Sequence, residues 1–252
     1  ITDKVIELKD YNGERYTFSN LLENKKVAIF NRSKKADLTL RTYIAEINDQ
    51  VLAVDRTPVS TINNGKFIYA HTKVPVIVEK NDLITYKIRV YNEGMQSSKV
   101  NCITSYLPEG LDLEEYDIEN LKYSWQVSED GRKITTDFLK NEEIEGYDGN
   151  NTPAYKEIPV VLRVTHEKGI EDIRLVNNVE ITSATEEDRD SNYGSIQGFV
   201  GNEYKKDEAA NSNRNSCVRG QEDDDDFENI VLSKDVKVSY QLEIKKIDID
   251  TK

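Results

Sequence analysis

The residues with the clearest potential for chemistry are seven acids that flank one long polar segment. Calcium takes about six to eight oxygen ligands from carboxylates, carbonyls and water, at variable geometry. If the strands on either side of the segment are neighbours, these acids converge and the sequence predicts a calcium site. The alternative is a solvated acidic loop, the usual state of a charge run. The seven candidate ligands are Asp188, Asp190, Glu222, Asp223, Asp224, Asp225 and Asp226.

The spacing of these acids does not match an EF-hand. The stretch "DRDSNYGSIQGF", residues 188–199, has no glutamate at its twelfth position, where an EF-hand loop needs a bidentate ligand. A cation would instead have to join the two ends of the polar segment and cancel the repulsion between neighbouring aspartates.

Residues typical of catalytic sites are sparse. His71 and His166 are the only histidines, and neither stands in a nucleophile motif. The sequence has no glycine-rich phosphate loop and no zinc-ligand spacing. We therefore expect no enzyme, with a glycan hydrolase built on an Asp/Glu pair as the remaining catalytic alternative.

The charge balance limits the classes of partner. The 252 residues carry a net charge of −13 and are 37% hydrophobic. Phosphate binding needs clustered Lys and Arg, so nucleic acid is excluded as a partner. No apolar run approaches the roughly 20 residues of a membrane helix, which predicts no membrane insertion in this segment. The sequence opens at Ile1 without a signal-peptide pattern, indicating a cytosolic protein or a segment of a longer chain.

The two cysteines, Cys102 and Cys217, lie far apart in the sequence. They form either one disulfide in an oxidising compartment or two separate thiols, and they do not make a disulfide framework.

The spacing of apolar residues mostly has the period of two that is typical of strands. Val74 to Val78 and Leu83 to Tyr91 predict a hairpin with "EKND" as its turn. The stretch "YSWQVSEDGRKITTDFL" predicts a second hairpin around Asp130-Gly131, with Trp125 in the core. Further strands are predicted over Ile158 to Val164, Ile173 to Ile181 and the run ending at Ile244.

Two stretches have helical features, and one long stretch has no apolar periodicity. Ser19 can cap a short helix over Asn20 to Lys26, whereas "ADLTLRTYIAEIND" fits either helix or strand. Residues 186–222 are polar and predict a long functional or mobile loop. Short, regularly spaced strands with polar turns predict an all-β fold, an antiparallel β-sandwich with a long acidic loop and one or two short helices.

Six phrases, taken in order, carry a family resemblance: "ADLTLRTYI", "VIVEKNDLITYKIRVYNEG", "SYLPEGLDL", "VNNVEITSAT", "EEDRDS" and "EDDDDFENIVL". Together they resemble a repeated Ig-like β-sandwich domain of surface proteins from Gram-positive bacteria. That domain is similar to the stalk and isopeptide-forming domains of fimbrial subunits. The resemblance implies an Ig-like sandwich over residues 36–240 and a location outside the cell, on the cell wall or cell surface.

The stretches on either side of this domain have separate interpretations. The C-terminal "LEIKKIDIDTK" resembles the opening strand of a prealbumin-like collagen-adhesin B repeat, so residues 241–252 are interpreted as the start of that repeat or as a linker. Residues 1–35 are interpreted as a cap on the sandwich or as the tail of a preceding module.

The resemblance also implies a possible isopeptide bond between a lysine on an early strand and an asparagine on a late one. By position, Lys34 or Lys35 would supply the amine, and Asn177 or Asn178 the amide. The sequence departs from the family pattern because "LITYKIRVY" contains no acid to accept the lysine proton. The alternative is that the lysines are exposed linker residues and the asparagines are turn or edge residues.

These observations predict a non-enzymatic structural or adhesive segment, the stalk or spacer of an adhesin or pilus-like protein, with calcium as the candidate cation that stiffens it. Its expected partners are neighbouring repeat domains of the same chain and an extracellular host ligand. The alternative is a ligand-binding module that contacts a host protein or glycan through residues 186–222.

Overall fold

The protein is described from a computed structural model. The described residues are 6–9, 15–18, 35–63, 66–149, 152–167, 169, 172–189, 191–196 and 222–233. They form a nearly all-β fold in which two sheets pack as a sandwich, as the sequence predicts. Two short antiparallel hairpins lie outside these sheets: β1 (Ile6–Lys9) with β2 (Arg15–Phe18), and β5 (Val59–Asn63) with β6 (Lys66–Ala70).

The first sheet has five antiparallel strands. Its members are β3 (Leu38–Ile47), β4 (Gln50–Val51), β8 (Leu83–Asn92), β10 (Leu111–Leu113) and β13 (Ala154–Val164), arranged in the order β10-β13-β8-β3-β4. Buried and half-buried residues alternate along most of β8, because successive side chains of a strand point to opposite faces. The stretch that fitted either helix or strand is the strand β3.

The second sheet has six strands. Its members are β7 (Val76–Val78), β9 (Val100–Tyr106), β11 (Gln126–Val127), β12 (Lys133–Thr136), β14 (Ile173–Ala184) and β15 (Asp225–Leu232), in the order β11-β12-β9-β14-β15-β7. All pairs are antiparallel except β15 with β7, which is parallel. The acidic run therefore leads directly into β15, whose first two residues, Asp225 and Asp226, pair with β14.

The two sheets enclose one main apolar core. Ile88 and Val160 contribute to it from the five-stranded sheet, and Ile103 and Val179 from the six-stranded sheet. Trp125 belongs to this core, as predicted, and its indole N–H donates to the Pro159 carbonyl at 2.8 Å. Its polar atom is thus satisfied within the sandwich.

The predicted hairpin between Val74–Val78 and Leu83–Tyr91 is wrong. Both runs are strands, but β7 and β8 belong to different sheets, so "EKND" carries the chain across the sandwich. The edges of β8 are already occupied by β3 and β13, which leaves no free edge for β7. A short polar connection looks the same in sequence whether it turns within one sheet or crosses between two.

The predicted hairpin around Asp130-Gly131 is confirmed as the pairing of β11 with β12. Gly131 has a φ of 70°, a conformation that a residue with a side chain adopts at a cost. A short helix, α1 (Ile118–Lys122), follows its N-cap Asp117. The predicted helix over Asn20 to Lys26 and the predicted strand over residues 236–244 lie outside the described residues.

Asn120, on α1, ties that helix to β13. Its side-chain amide donates to the Val161 carbonyl at 2.7 Å and accepts from the Val161 N–H at 2.9 Å. The Asn120 side chain therefore satisfies the backbone N–H and carbonyl of Val161, as a neighbouring strand would do at this position.

Candidate functional site

The acidic run is buried. From Glu222 to Asp226 no residue exceeds 6% exposure, and Glu228 is fully buried. This overturns the alternative of a solvated acidic loop. Burial follows from the pairing of Asp225 and Asp226 with β14 and from contacts of the run with β3 of the other sheet.

The first and last strands of the sandwich are joined directly through this run. The Leu40 N–H of β3 donates to the Asp223 carbonyl at 2.8 Å. The Thr42 N–H, also on β3, donates to the Asp226 carboxylate at 2.8 Å. Strands of different sheets are thus hydrogen-bonded to each other at one side of the sandwich.

Lys73 lies at the centre of this junction. Its side chain is fully buried, and Nζ stands 2.8 Å from Asp226 Oδ2 and 3.6 Å from Glu228 Oε1. The same ammonium donates to the carbonyls of Thr42 at 2.8 Å and Phe227 at 2.6 Å. One cation therefore binds a carbonyl of the first strand and, on the last strand, a carbonyl and two carboxylates. We call Lys73, Asp226 and Glu228 the lysine clamp.

Arg56 supports the clamp from its other side. Its guanidinium pairs with Glu228 Oε2 at 2.7 Å and donates to the Val74 carbonyl at 3.0 Å. Burial raises the pKa of Glu228, and the positive charges of Lys73 and Arg56 only partly offset that rise. Glu228 consequently holds a proton more readily than an exposed glutamate.

His71 approaches the same acid. Its Nε2 is 3.9 Å from Asp226 Oδ2, and both side chains are fully buried. Protonation of His71 would therefore add a second cation beside Asp226.

The N-terminal half of the acidic run meets residues of the predicted loop. Asp188 accepts hydrogen bonds from the Leu38 N–H at 2.7 Å, the Ser191 N–H at 3.0 Å and the Tyr193 hydroxyl at 3.4 Å. The Ser191 hydroxyl donates to Asp223. The two ends of the polar segment thus converge, as the sequence predicts.

Two further acids of this half are held by backbone groups. The Asn192 N–H donates to the Glu222 carboxylate, and the Glu222 N–H donates to Asp225 Oδ2 at 2.7 Å. Ile196 is fully buried beside Phe227, so the described start of the segment is packed against β15 rather than solvated.

Asp224 differs from its neighbours. It is fully buried, and among the described residues neither of its carboxylate oxygens has a hydrogen-bond partner. Burial raises its pKa to about 10, and the negative charges of Asp225, Asp223 and Asp188 add to that rise. A lone buried carboxylate of this kind takes up either a proton or a cation.

Glu180, on β14, is a further acid whose charge acts on Asp224. It accepts from the Tyr106 hydroxyl at 2.8 Å and from the Ile196 N–H at 2.6 Å. Burial raises its pKa despite these two hydrogen bonds, and the charge of Glu222 adds to the rise. Glu180 also contributes to the raised pKa of Asp224.

The predicted isopeptide residues have other contacts. Lys35 is about half exposed and pairs with Glu187 at 3.6 Å. Asn177 and Asn178 are fully buried on β14, and Asn177 accepts a hydrogen bond from the Ser105 hydroxyl at 2.6 Å. The asparagines are thus core residues, not turn or edge residues, and a bond between them and Lys35 stays a prediction.

Three predicted residues lie outside the described part of the chain: Lys34, Asp190 and Cys217. Cys102 is half-buried on β9, and its sulfur lies 3.8 Å from the Ile103 carbonyl. The two alternatives from the sequence, one disulfide with Cys217 or two separate thiols, both stay predictions.

Sequence reasoning missed Lys73 and Arg56. The only signal was indirect: acids that continue into a strand need a buried cation, and "HTKVPV" places one lysine directly before a short apolar run. The local sequence does not distinguish that lysine from an exposed one.

Among the described residues, no group of three or more His, Cys, Asp or Glu side chains is already arranged to hold a metal ion. The convergence of the acids and the orphaned Asp224 carboxylate nevertheless match the oxygen donors that calcium uses.

Comparisons with known proteins find only weak similarity in sequence and structure. No protein-family model and no curated protein matches the sequence. The major pilin subunit of Bacillus cereus matches at a TM-score of 0.30 and 14% identity, over 73% of this chain and 46% of the pilin. A protein that catalyses macrocyclization in alchivemycin A biosynthesis matches at 0.24 and 13%, over 73% of this chain and 100% of that protein. Likenesses at these TM-scores carry no argument about function.

In the part of the chain that the structure describes, no helix has the length and apolar character needed to cross a membrane.

Proposed function

We propose that this chain is a non-enzymatic, load-bearing β-sandwich segment, a stalk or spacer of a multidomain protein of the cell surface. One observation carries the proposal: the lysine clamp joins the first and last strands of the sandwich. Lys73 binds the Thr42 carbonyl on β3 and, on β15, the Phe227 carbonyl and Asp226.

The position of the clamp suits a module that is pulled along its chain. Force that enters before β3 and leaves after β15 acts on the two strands that Lys73, Thr42 and Asp226 connect. Separating those strands would break several hydrogen bonds together and leave buried charges without partners. Loss of one partner from a buried ion pair costs about 3–5 kcal/mol, so the clamp opposes the first step of mechanical unfolding.

The clamp also supports a covalent version of the same function. The predicted family-type amide has a better pair of residues in Lys73 and Asp226 than in Lys35 and the buried asparagines, because Nζ already lies 2.8 Å from Asp226 Oδ2. Formation of the amide begins when the Lys73 ammonium gives one proton to the Asp226 carboxylate. The neutral amine then attacks Cγ.

Glu228 is placed to move the second proton. It takes a proton from the attacking nitrogen and returns one to the departing Asp226 oxygen, which leaves as water. The net change is ammonium plus carboxylate to amide plus water. Burial raises the pKa of Glu228, which favours its role as an acid that both accepts and donates a proton.

Mechanical unfolding tests the proposal. The full chain, tethered at its two ends, is stretched in single-molecule force experiments beside Lys73→Met and the matched control Lys156→Met, whose lysine pairs with Glu142 on the surface. We expect a clear loss of unfolding force for Lys73→Met only. Equal forces for all three proteins would refute the load-bearing role.

Intact mass under denaturing, reducing conditions separates the two forms of the clamp. The amide is indicated if the unmodified protein has a mass one water below the value calculated from its sequence. The Lys73→Met variant should then have the full mass calculated from its own sequence. The full mass in the unmodified protein indicates an ion pair, and the force experiment then tests that ion pair alone.

The adhesive alternative places the binding site in residues 186–222. Most of that segment lies outside the described residues, so binding of a host protein or glycan stays a prediction. Location on the cell surface and contact with neighbouring repeat domains are likewise proposals, and they rest on the six sequence phrases.

A further inference from the structure

The N-terminal half of the acidic run contains one carboxylate that nothing in the described chain satisfies. Asp224 is fully buried and both of its side-chain oxygens lack hydrogen-bond partners. Its backbone is fixed, since its carbonyl accepts from the Ile181 N–H at 3.0 Å. The carboxylate is thus held inside the protein without the compensation that buried polar groups normally have.

The charges that act most strongly on Asp224 are all negative. They belong to Asp225, Asp223, Asp188 and Glu180. In the lysine clamp, by contrast, Asp226 has a buried ammonium at 2.8 Å. Like charges gathered at a buried site are costly unless a counter-charge or protons compensate them.

Several oxygens around Asp224 are already oriented by groups outside the acidic run. Asp188 is fixed by the Leu38 and Ser191 N–H groups. Asp223 accepts from the Ser191 hydroxyl, and Thr39 lies 3.5 Å from its second oxygen. A carboxylate can accept hydrogen bonds and coordinate a cation together, since an ionised carboxylate offers about four acceptor sites.

We propose that Asp224, together with Asp188 and its neighbours Asp223 and Asp225, binds one divalent cation, with Ca²⁺ preferred over Mg²⁺. The donors are hard oxygens, and Ca²⁺ accepts them at flexible geometry. Mg²⁺ demands a near-ideal octahedron and keeps several waters, which a buried, crowded site does not favour. Because no three of these acids yet stand as a ligand set, side-chain rotation and carbonyl or water oxygens complete the coordination.

A cation at this point fastens the stretch after β14 to the start of β15. Asp188 and Ser191 belong to that stretch, and Asp223 and Asp224 lie directly before β15. The site therefore connects the described start of the polar segment to the strand that follows it. This connection is independent of the lysine clamp and goes beyond the proposed mechanical role.

Terbium luminescence tests binding directly on the full chain. Tyr193 lies beside the site, with its hydroxyl 3.4 Å from Asp188 Oδ2, so light absorbed by the tyrosine can excite a bound Tb³⁺. We expect saturable luminescence that Ca²⁺ competes away at lower concentration than Mg²⁺. Asp224→Asn should weaken the apparent affinity at least tenfold, whereas Asp112→Asn, an acid that pairs with Arg132 near the surface, should leave it unchanged.

Thermal melting of chelator-treated protein provides the second readout. At about a hundredfold excess over Kd, calcium should raise Tm by about 5–10 °C. Asp224→Asn should remove that rise, and Asp188→Asn tests the same site if Asp224→Asn does not fold. Absence of both terbium binding and a calcium shift in the unmodified protein would overturn the proposal and leave Asp224 a buried, protonated acid. An equal shift in the unmodified protein and both variants would also overturn it.

Discussion

The two halves of the acidic run are equally buried but differ in how their charge is compensated. In the C-terminal half, Asp226 and Glu228 meet Lys73 and Arg56 at 2.7–3.6 Å. In the N-terminal half, Asp224 has no hydrogen-bond partner within the described part of the chain, and the charges of nearby acids raise its pKa further. Four consecutive aspartates therefore do not form one site.

This difference shows that the charges of buried acids can be compensated in more than one way. The lysine clamp compensates its acids within the chain, so its contribution should not depend on the solution composition. The Asp224 half depends on protons or an added cation.

Removal of the clamp cation should have the largest effect. Lys73→Met leaves Asp226 and Glu228 buried with one fewer counter-charge, and we expect a loss of about 3–5 kcal/mol in the free energy of unfolding. Denaturant titration measures the loss. The control Lys156→Met removes an exposed pair and should change stability far less. Equal losses in the two variants would show that Lys73 is no better placed than a surface lysine.

Neutralising one clamp acid should have a smaller effect. In Glu228→Gln, Lys73 keeps Asp226, while Arg56 keeps an oxygen acceptor and its Val74 contact. We expect a loss of about 1–3 kcal/mol, the usual result of disturbing a buried hydrogen bond. Denaturant unfolding without chelator or calcium gives the value. If Glu228→Gln lost as much unfolding free energy as Lys73→Met, the ion pair between Arg56 and Glu228 would be the main source of the stability of the clamp.

Neutralising Asp224, in the N-terminal half of the acidic run, should stabilise the protein instead of destabilising it. In chelator, Asp224→Asn removes a carboxylate that stands among other acids, and we expect the protein to gain about 1 kcal/mol of stability. The sign of this change, measured by denaturant unfolding, separates the two halves. Destabilisation in chelator would mean that the Asp224 carboxylate is already well compensated.

Glu157 is a more solvent-accessible acid that is also compensated by a cation, and its neutralisation should have the smallest effect on stability. Burial alone would raise its pKa, but the hydrogen bond and charge of Arg89 outweigh that effect and hold the pKa below its usual value. Its stabilising effect is therefore present above the unfolded pKa of 4.5 and is lost as pH falls through the folded value. Glu157→Gln should cost less than about 1 kcal/mol at pH 7.

The test for Glu157 compares unfolding free energies of the unmodified and Glu157→Gln proteins at pH 7 and at a pH below the folded pKa. The difference between the proteins should shrink at the lower pH. A difference that grows on acidification would contradict the pairing of Glu157 with Arg89, which have Oε2 and Nη2 2.6 Å apart.

The sequence predicts much of this fold because period-two spacing directly reflects burial on one face of a strand. The strands β8, β13 and β14 were located in that way, and Asp130-Gly131 identified a tight turn by its backbone chemistry. The crossing from β7 to β8 was missed, because a connection of four polar residues does not show which sheet the next strand joins.

The candidate site was predictable only in part. The acids at the two ends of the polar segment were expected to converge, and Asp188 and Asp223 do share Ser191. Their burial was not decided, since a run of aspartates has the same composition in solvent and in a core. Lys73 was missed because 153 residues separate it from Asp226, and only the tertiary fold brings them together.

The central claim, that Lys73 compensates Asp226 within the sandwich, is tested most directly by a double-mutant cycle. Unfolding free energies are measured for the unmodified protein, Lys73→Met, Asp226→Asn and the double variant. The account predicts a coupling of about 2–3 kcal/mol between the two residues. A coupling under about 0.5 kcal/mol, as for an exposed ion pair, would contradict it.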